Sequence, residues 1–109
     1  MDFERYESVI QACFACATHC EICGSECLKE KNIESVTRCI ELTKDCAAMC
    51  LLTARLLSTG SEFIPQVCNL CAEICHACAD ECAKHYLDAC AQYCRDCAEE
   101  CNALTLDFA

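Results

Sequence analysis

The chain has one proline and two glycines in 109 residues. Turn-rich strand architectures are excluded on that count, and no segment shows the two-residue alternation of a half-buried strand. Basic residues are scarce as well, eight against 18 acidic ones for a net charge of −10, and they do not cluster. Such a surface repels a phosphate backbone, so nucleic acid is not an expected partner. No run of about 18 apolar residues occurs, and no membrane span is expected. The segment Met1-Asp2-Phe3-Glu4-Arg5 has neither the basic start nor the apolar stretch of a signal peptide, which makes the cytoplasm the expected location. Ordinary hydrocarbon is short too: without cysteine, the apolar share of 55% falls to about 39%, below the usual globular level.

What fills the deficit is sulfur. Seventeen residues are cysteine, and they recur at helical spacing. Cys13, Cys16, Cys20, Cys23 and Cys27 step by three and four. Cys68, Cys71, Cys75, Cys78 and Cys82 repeat that rhythm, Cys90, Cys94, Cys97 and Cys101 step likewise, and Cys39, Cys46 and Cys50 form a thinner stripe. Residues three and four apart share one face of an α-helix, so each stripe is a seam of thiols where a bundle would normally place leucine. The pattern predicts an all-α, antiparallel up-down-up-down four-helix bundle with a cysteine-lined core, one domain over residues 1–109. Helices are expected over about 4–29, 33–58, 62–85 and 88–104. Asn32, and Ser61 or a near neighbour, are the expected N-caps, and Pro65 fits only in the first turn or so of its helix.

A shift of 55 residues places Cys13, Cys16, Cys20, Cys23 and Cys27 on Cys68, Cys71, Cys75, Cys78 and Cys82. Glu26 falls on Glu81, Lys29 on Lys84, Cys39 on Cys94 and Cys46 on Cys101, so the chain reads as a duplicated helical hairpin. Antiparallel order then gathers Cys27, Cys39, Cys82 and Cys90 at a polar end near Lys31 and His85. Cys13, Cys50, Cys68 and Cys101 gather at the other end, beyond which Phe3, Tyr6, Ile10, Leu56, Leu57, Phe63, Ile64, Leu104 and Phe108 are expected to plug the bundle with hydrocarbon.

Each stripe contains pairs at i and i+4, such as Cys16 with Cys20, Cys46 with Cys50, Cys71 with Cys75 and Cys97 with Cys101. Their Cβ atoms lie about 5–6 Å apart in a regular helix, too far for a disulfide without distortion. In the reducing cytoplasm, dense cysteine points to metal. Soft thiolates select Cu(I), zinc and iron–sulfur clusters. Zinc wants four tetrahedral ligands and iron–sulfur clusters want four cysteines from loops, whereas Cu(I) accepts two ligands from one helix with a third from a neighbour. Many Cu(I) ions along one tube are therefore expected, with shared sulfurs. The alternative is a thiol–disulfide redox or electron-carrier protein; an enzyme is not expected, since no oriented base accompanies a nucleophile.

The four striped helices, and especially Glu81-Cys82-Ala83-Lys84-His85 followed by Cys90, Cys94, Cys97 and Cys101, resemble the bacterial cysteine-rich four-helix-bundle copper storage proteins. The resemblance spans about Cys13 to Cys101. It implies Cu(I) held inside the bundle by thiolates, storage without catalysis, and homotetramers; the lack of a leader resembles the cytosolic members. The second helix departs from the pattern, with Leu42 and Thr43 where its stripe would continue.

Other residues are read beside this seam. His85 continues it at the polar end, either as an outer ligand that passes copper inward or as a solvated histidine favoured by the helix C-terminus. His19 and His76 flank the seam and are expected at the surface, Met49 in ordinary packing, and Asp80, Glu81, Asp96, Glu99 and Glu100 on a solvated face. Gly24, inside the first helix, marks a close approach of helices or subunits. Copper is expected to arrive at the polar end and leave by exchange with donor or acceptor proteins or small thiols.

Overall fold

The structure, a computed structural model, describes residues 3–108. These form four α-helices: α1 (Phe3–Cys27), α2 (Thr37–Thr59), α3 (Ile64–Lys84) and α4 (Asp88–Leu106). Each helix packs on two others, α1 on α2 and α4, and α3 on the same pair, giving a closed ring of antiparallel neighbours. The Cα envelope measures 48 × 20 × 19 Å, a slender bundle two helices thick. No helix is long and apolar enough to cross a membrane among the described residues.

The helix ends follow from local chemistry. At the midpoint turn, Gly60 has φ of 65° while Ser61 N–H reaches Leu56 O at 3.0 Å and Gly60 N–H reaches Leu57 O at 3.2 Å. This is the left-handed closure that glycine permits at no steric cost. The α3–α4 turn repeats it: Leu87 N–H bonds Cys82 O at 3.0 Å and Tyr86 N–H bonds Ala83 O at 3.2 Å. There the left-handed residue is Tyr86, with φ of 60°, a conformation that costs a non-glycine residue about 1 kcal/mol. Pro65 sits in the first turn of α3, where its missing N–H is not needed.

Both expected caps differ in detail. Asn32 makes no side-chain cap, and a 3₁₀ turn over Ile33–Val36 precedes α2. Ser35 donates from both its N–H and its hydroxyl to Asn32 O, at 3.1 and 2.7 Å, which tightens this turn and delays the α-helix to Thr37. The Ser61 hydroxyl accepts from Phe63 N–H at 3.1 Å, so it braces the approach to α3 instead of capping its first turn.

The hydrocarbon plug is smaller than expected. Tyr6, Val9, Ile10, Leu57, Ile64 and Leu104 are buried there, but Phe3, Phe63 and Phe108 are 51%, 55% and 41% exposed. Phe3 is the first residue of α1 and Phe63 precedes α3, so both sit at the very ends of their helices. Phe108 instead lies under the Arg5 guanidinium, 5.5 Å from its ring centre, while Arg5 pairs with Asp107 at 2.6 Å.

Gly24 is where α1 and α2 approach closely. A Cβ there would stand 2.9 Å from Thr43 Oγ1, inside van der Waals contact. Thr43, 1% exposed, occupies the break in the α2 stripe and donates its hydroxyl to Ile40 O at 3.0 Å, which removes the polar cost of its burial.

Candidate metal centre

All seventeen cysteines are buried and carry free thiols. Their period of three and four turns every one of them inward, and the ring arrangement makes four seams converge on one axis. Close Sγ–Sγ contacts run mainly between helices: Cys16 to Cys46 and to Cys94 at 3.6 Å, Cys46 to Cys75 at 3.6 Å, and Cys13 to Cys97 at 3.7 Å. Along a single helix, Cys46 to Cys50 and Cys71 to Cys75 are 4.0 Å apart.

These contacts resolve into groups whose sulfurs all lie within 4.8 Å of one another. From the plugged end inward, the first is Cys13, Cys71, Cys97 and Cys101; the second Cys50, Cys71, Cys75 and Cys97; the third Cys16, Cys46, Cys50 and Cys75; the fourth Cys16, Cys20, Cys46 and Cys94. Each contains one i, i+4 pair and takes its other two sulfurs from two further helices. Successive groups share two cysteines: Cys71 and Cys97, then Cys50 and Cys75, then Cys16 and Cys46. The core is thus a ladder of edge-sharing sulfur tetrahedra. A group of three, Cys23, Cys27 and Cys39, stands nearer the polar end. Cys78, Cys82 and Cys90 link the two regions, with Cys78 3.9 Å from Cys20, Cys82 3.9 Å from Cys23 and Cys90 4.0 Å from Cys20. Cys68 lies beside Cys101 at the plugged end.

Proton affinities follow from this crowding. Cys20, Cys50 and Cys82 are pushed well above the ordinary thiol range, first by hydrogen bonds with Cys16, Cys13 and Cys23 respectively, and then by burial. Cys46 and Cys97, each ringed by four hydrogen-bonding thiols with Cys16 and Cys101 foremost, are lowered. Cys39 is raised to about 11, chiefly by burial and then by Cys27. Burial and neighbouring thiols thus favour the neutral form at Cys20, Cys50, Cys82 and Cys39, and a metal ion bound there takes the place of the proton. The buried polar side chains among the described residues are Thr43, Thr53 and Glu81, so no positive side chain sits inside to hold free thiolate charge.

The polar end is where sulfur meets solvent. Cys23, Cys27 and Cys90 retain 5% exposure, whereas Cys82 has none. Cys23 and Cys90 lie in the wall of a cleft of about 350 Å³, together with His19, Glu26, Tyr86 and Asp88. His19 stacks on Tyr93 with ring centres 3.8 Å apart, and His76 is exposed. Met49 is buried between α2 and α3 beside Leu52 and Ile74, the packing role expected of it. His85 stands at this end with Nε2 2.9 Å from Glu81 Oε2.

Asp80, Asp96 and Glu99 are exposed, as expected of a solvated face, but Glu81 is not. It is 7% exposed and meets His85, Arg38 at 3.4 Å and Lys84 at 3.5 Å. The hydrogen bond with His85, followed by Lys84, holds its carboxyl below the usual range against the opposing effect of burial. The i, i+3 and i, i+4 partners are visible in sequence; Arg38, which comes from α2, is not.

A family model described as copper storage protein matches residues 2–106. The chain belongs to the copper storage protein family. Within it, the chain is similar to the copper storage protein BsCsp3 of Bacillus subtilis in its Cu(I)-bound form, with 38% identity and a TM-score of 0.88 over 93% of this chain and 98% of that one. The copper storage protein Ccsp of Streptomyces lividans, loaded with 10 copper equivalents, is 35% identical with a TM-score of 0.91 over 96% of this chain and 86% of that one. The uncharacterized cysteine-rich protein YhjQ of Bacillus subtilis (strain 168) is 41% identical over 83 residues, 75% of this chain and 77% of its own length.

Proposed function

We propose that this chain stores and sequesters several Cu(I) ions as thiolate complexes in its core, in the cytoplasm and without catalysis. The observation that carries the reading is the edge-sharing ladder of buried thiols. Regular tetrahedra of about 3.8 Å edge have centres about 2.7 Å apart across a shared edge. At an effective dielectric of about 20, unit charges so placed repel by about 6 kcal/mol, an amount that two bridging thiolates offset. Each Cu(I) that replaces one thiol proton leaves the core charge unchanged, so loading continues without accumulating buried charge. The seventeen cysteines are the ligands, with His85 at the mouth. Cu(I)-bound relatives of the same fold support the metal choice and favour storage over the redox alternative.

Ions pass inward from the polar end, where Cys23 and Cys90 meet solvent, and leave by exchange with small thiols or an acceptor protein. The exposed Phe14, Ile22, Leu51, Leu52 and Leu70 on the outer faces support assembly into the homotetramer that the family resemblance implies. The test is anaerobic titration of the reduced protein with Cu(I) against a chromophoric chelator. Tight uptake of many ions is expected. Uptake of only one or two would refute storage, and a reversible disulfide couple without multi-ion uptake would establish the redox reading instead.

A further inference from the structure

The ladder has a geometric property that does not depend on copper. Four mutually touching sulfurs leave an interstice whose centre lies about 2.3 Å from each when the edges are about 3.8 Å, which is the bond length of a tetrahedral zinc thiolate. Four of the six Sγ–Sγ contacts of the second group run from 3.7 to 4.0 Å, four of six in each of the third and fourth run from 3.6 to 4.0 Å, and every other pair stays within 4.8 Å. Sequence reasoning set zinc aside because one helix supplies only two sulfurs to a site; the bundle supplies four, from three helices.

Charge then limits how many groups can fill. A divalent ion with four thiolates displaces four protons to solvent and leaves a buried charge of 2−, with no cationic side chain in the core to balance it. Two divalent ions in groups sharing an edge would stand about 2.7 Å apart and repel four times as strongly as two monovalent ions at that distance. We propose that, in the absence of copper, the four-cysteine ladder binds soft divalent ions of the zinc class, two at a time, in groups that share no cysteine. The proposal rests on the reading of these cysteines as metal ligands. Because the same sulfurs serve both metals, copper loading expels the divalent ions.

Cobalt(II) is the probe, since four-sulfur tetrahedral coordination gives it intense absorption in the red. The reduced, metal-free protein is titrated anaerobically in a Cys82→Ser, Cys90→Ser background, so that the mouth thiols cannot complete another four-sulfur site. Absorption should saturate at two ions. Adding Cys50→Ser removes the second and third groups together yet leaves two non-adjacent ones, so the capacity should remain two. Adding Cys13→Ser with Cys94→Ser instead leaves two groups that share an edge, so the capacity should fall to one. Helicity of each variant is checked by circular dichroism. A readout that needs no substitution is the paramagnetic resonance of the wild-type protein, whose intensity should rise in proportion to cobalt through the second ion, because ions without a shared thiolate do not couple. Cu(I) should then bleach the red absorption. No four-sulfur absorption, more than two such ions, or loss of resonance intensity at the second ion would overturn the proposal. Cu(I) titration of the same sample separates the two readings: many copper ions without cobalt sites would sink this inference alone, whereas neither metal binding would sink storage as well.

Discussion

Gly24→Ala isolates one contact on which the α1–α2 spacing depends. Alanine in a helix interior is favoured over glycine by about 1 kcal/mol, so propensity alone predicts stabilisation. Packing opposes it: the new Cβ would lie 2.9 Å from Thr43 Oγ1, and overpacking of this kind costs about 1–3 kcal/mol. Thr43 cannot swing aside freely, because its hydroxyl is committed to Ile40 O at 3.0 Å and the site is buried. The net expectation is a loss of about 0–2 kcal/mol in the metal-free reduced protein. In a Thr43→Ala background the nearest atom is Cβ at 3.7 Å, an ordinary contact, and the same Gly24→Ala change should now gain about 1 kcal/mol. The double-mutant cycle should therefore show a coupling of about 1–3 kcal/mol, read by urea unfolding and as a shift of about 4–8 °C per kcal/mol in thermal melts. Additive effects, or stabilisation by Gly24→Ala alone, would refute the close approach as the reason for glycine here.

Further expectations follow from the turns, the buried carboxylate and the two ends. Tyr86→Gly should stabilise the metal-free protein by about 1 kcal/mol by relieving the left-handed backbone, measured by denaturant unfolding. Glu81→Gln should cost about 1 kcal/mol at neutral pH. The carboxyl is held below its ordinary value of 4.5 in the folded state, so its contribution is present above that pH and is lost as pH falls through the folded value; the gap between wild type and variant should close on acidification in pH-dependent melts. Cys23→Ser with Cys90→Ser should slow copper uptake and removal in stopped-flow exchange while leaving most of the capacity. Leu57→Ala, at a fully buried position of the plugged end, should cost about 2–5 kcal/mol and leave exchange rates unchanged; the opposite pattern would place the mouth at the wrong end.

The helices and their inward faces were legible because cysteine is both the periodic residue and the chemical one. A stripe stepping three and four from Cys13 to Cys27 admits one secondary structure and one buried face, and short turns at Gly60 and Tyr86 leave only the antiparallel order. The pairing of sulfurs was less legible, for a reason of scale. An i, i+4 pair such as Cys71 and Cys75 is a property of one helix, but the addition of Cys50 and Cys97 to that pair depends on the rotation and axial stagger of three helices. A shift of one residue along α2 would replace those neighbours without altering any stripe.

The same distinction explains the misreadings at the ends. Phe3 continues the periodicity of α1, but periodicity says which way a side chain faces, not whether a partner helix reaches far enough to cover it. Glu81 breaks the apolar pattern of α3, and its burial became intelligible only with Arg38 brought across from α2 to join Lys84 and His85. Its duplicate, Glu26, keeps the i, i+3 lysine, Lys29, at 3.0 Å and remains well exposed. Two substitutions separate the halves here: His85, whose duplicate is Glu30, and Arg38 in α2, where α4 has Tyr93 at the equivalent position. The His85 partner is written in the repeat itself, but Arg38 reaches Glu81 from the other half, and it is at such contacts that a single repeat unit, read by itself, cannot predict the environment of its own side chains.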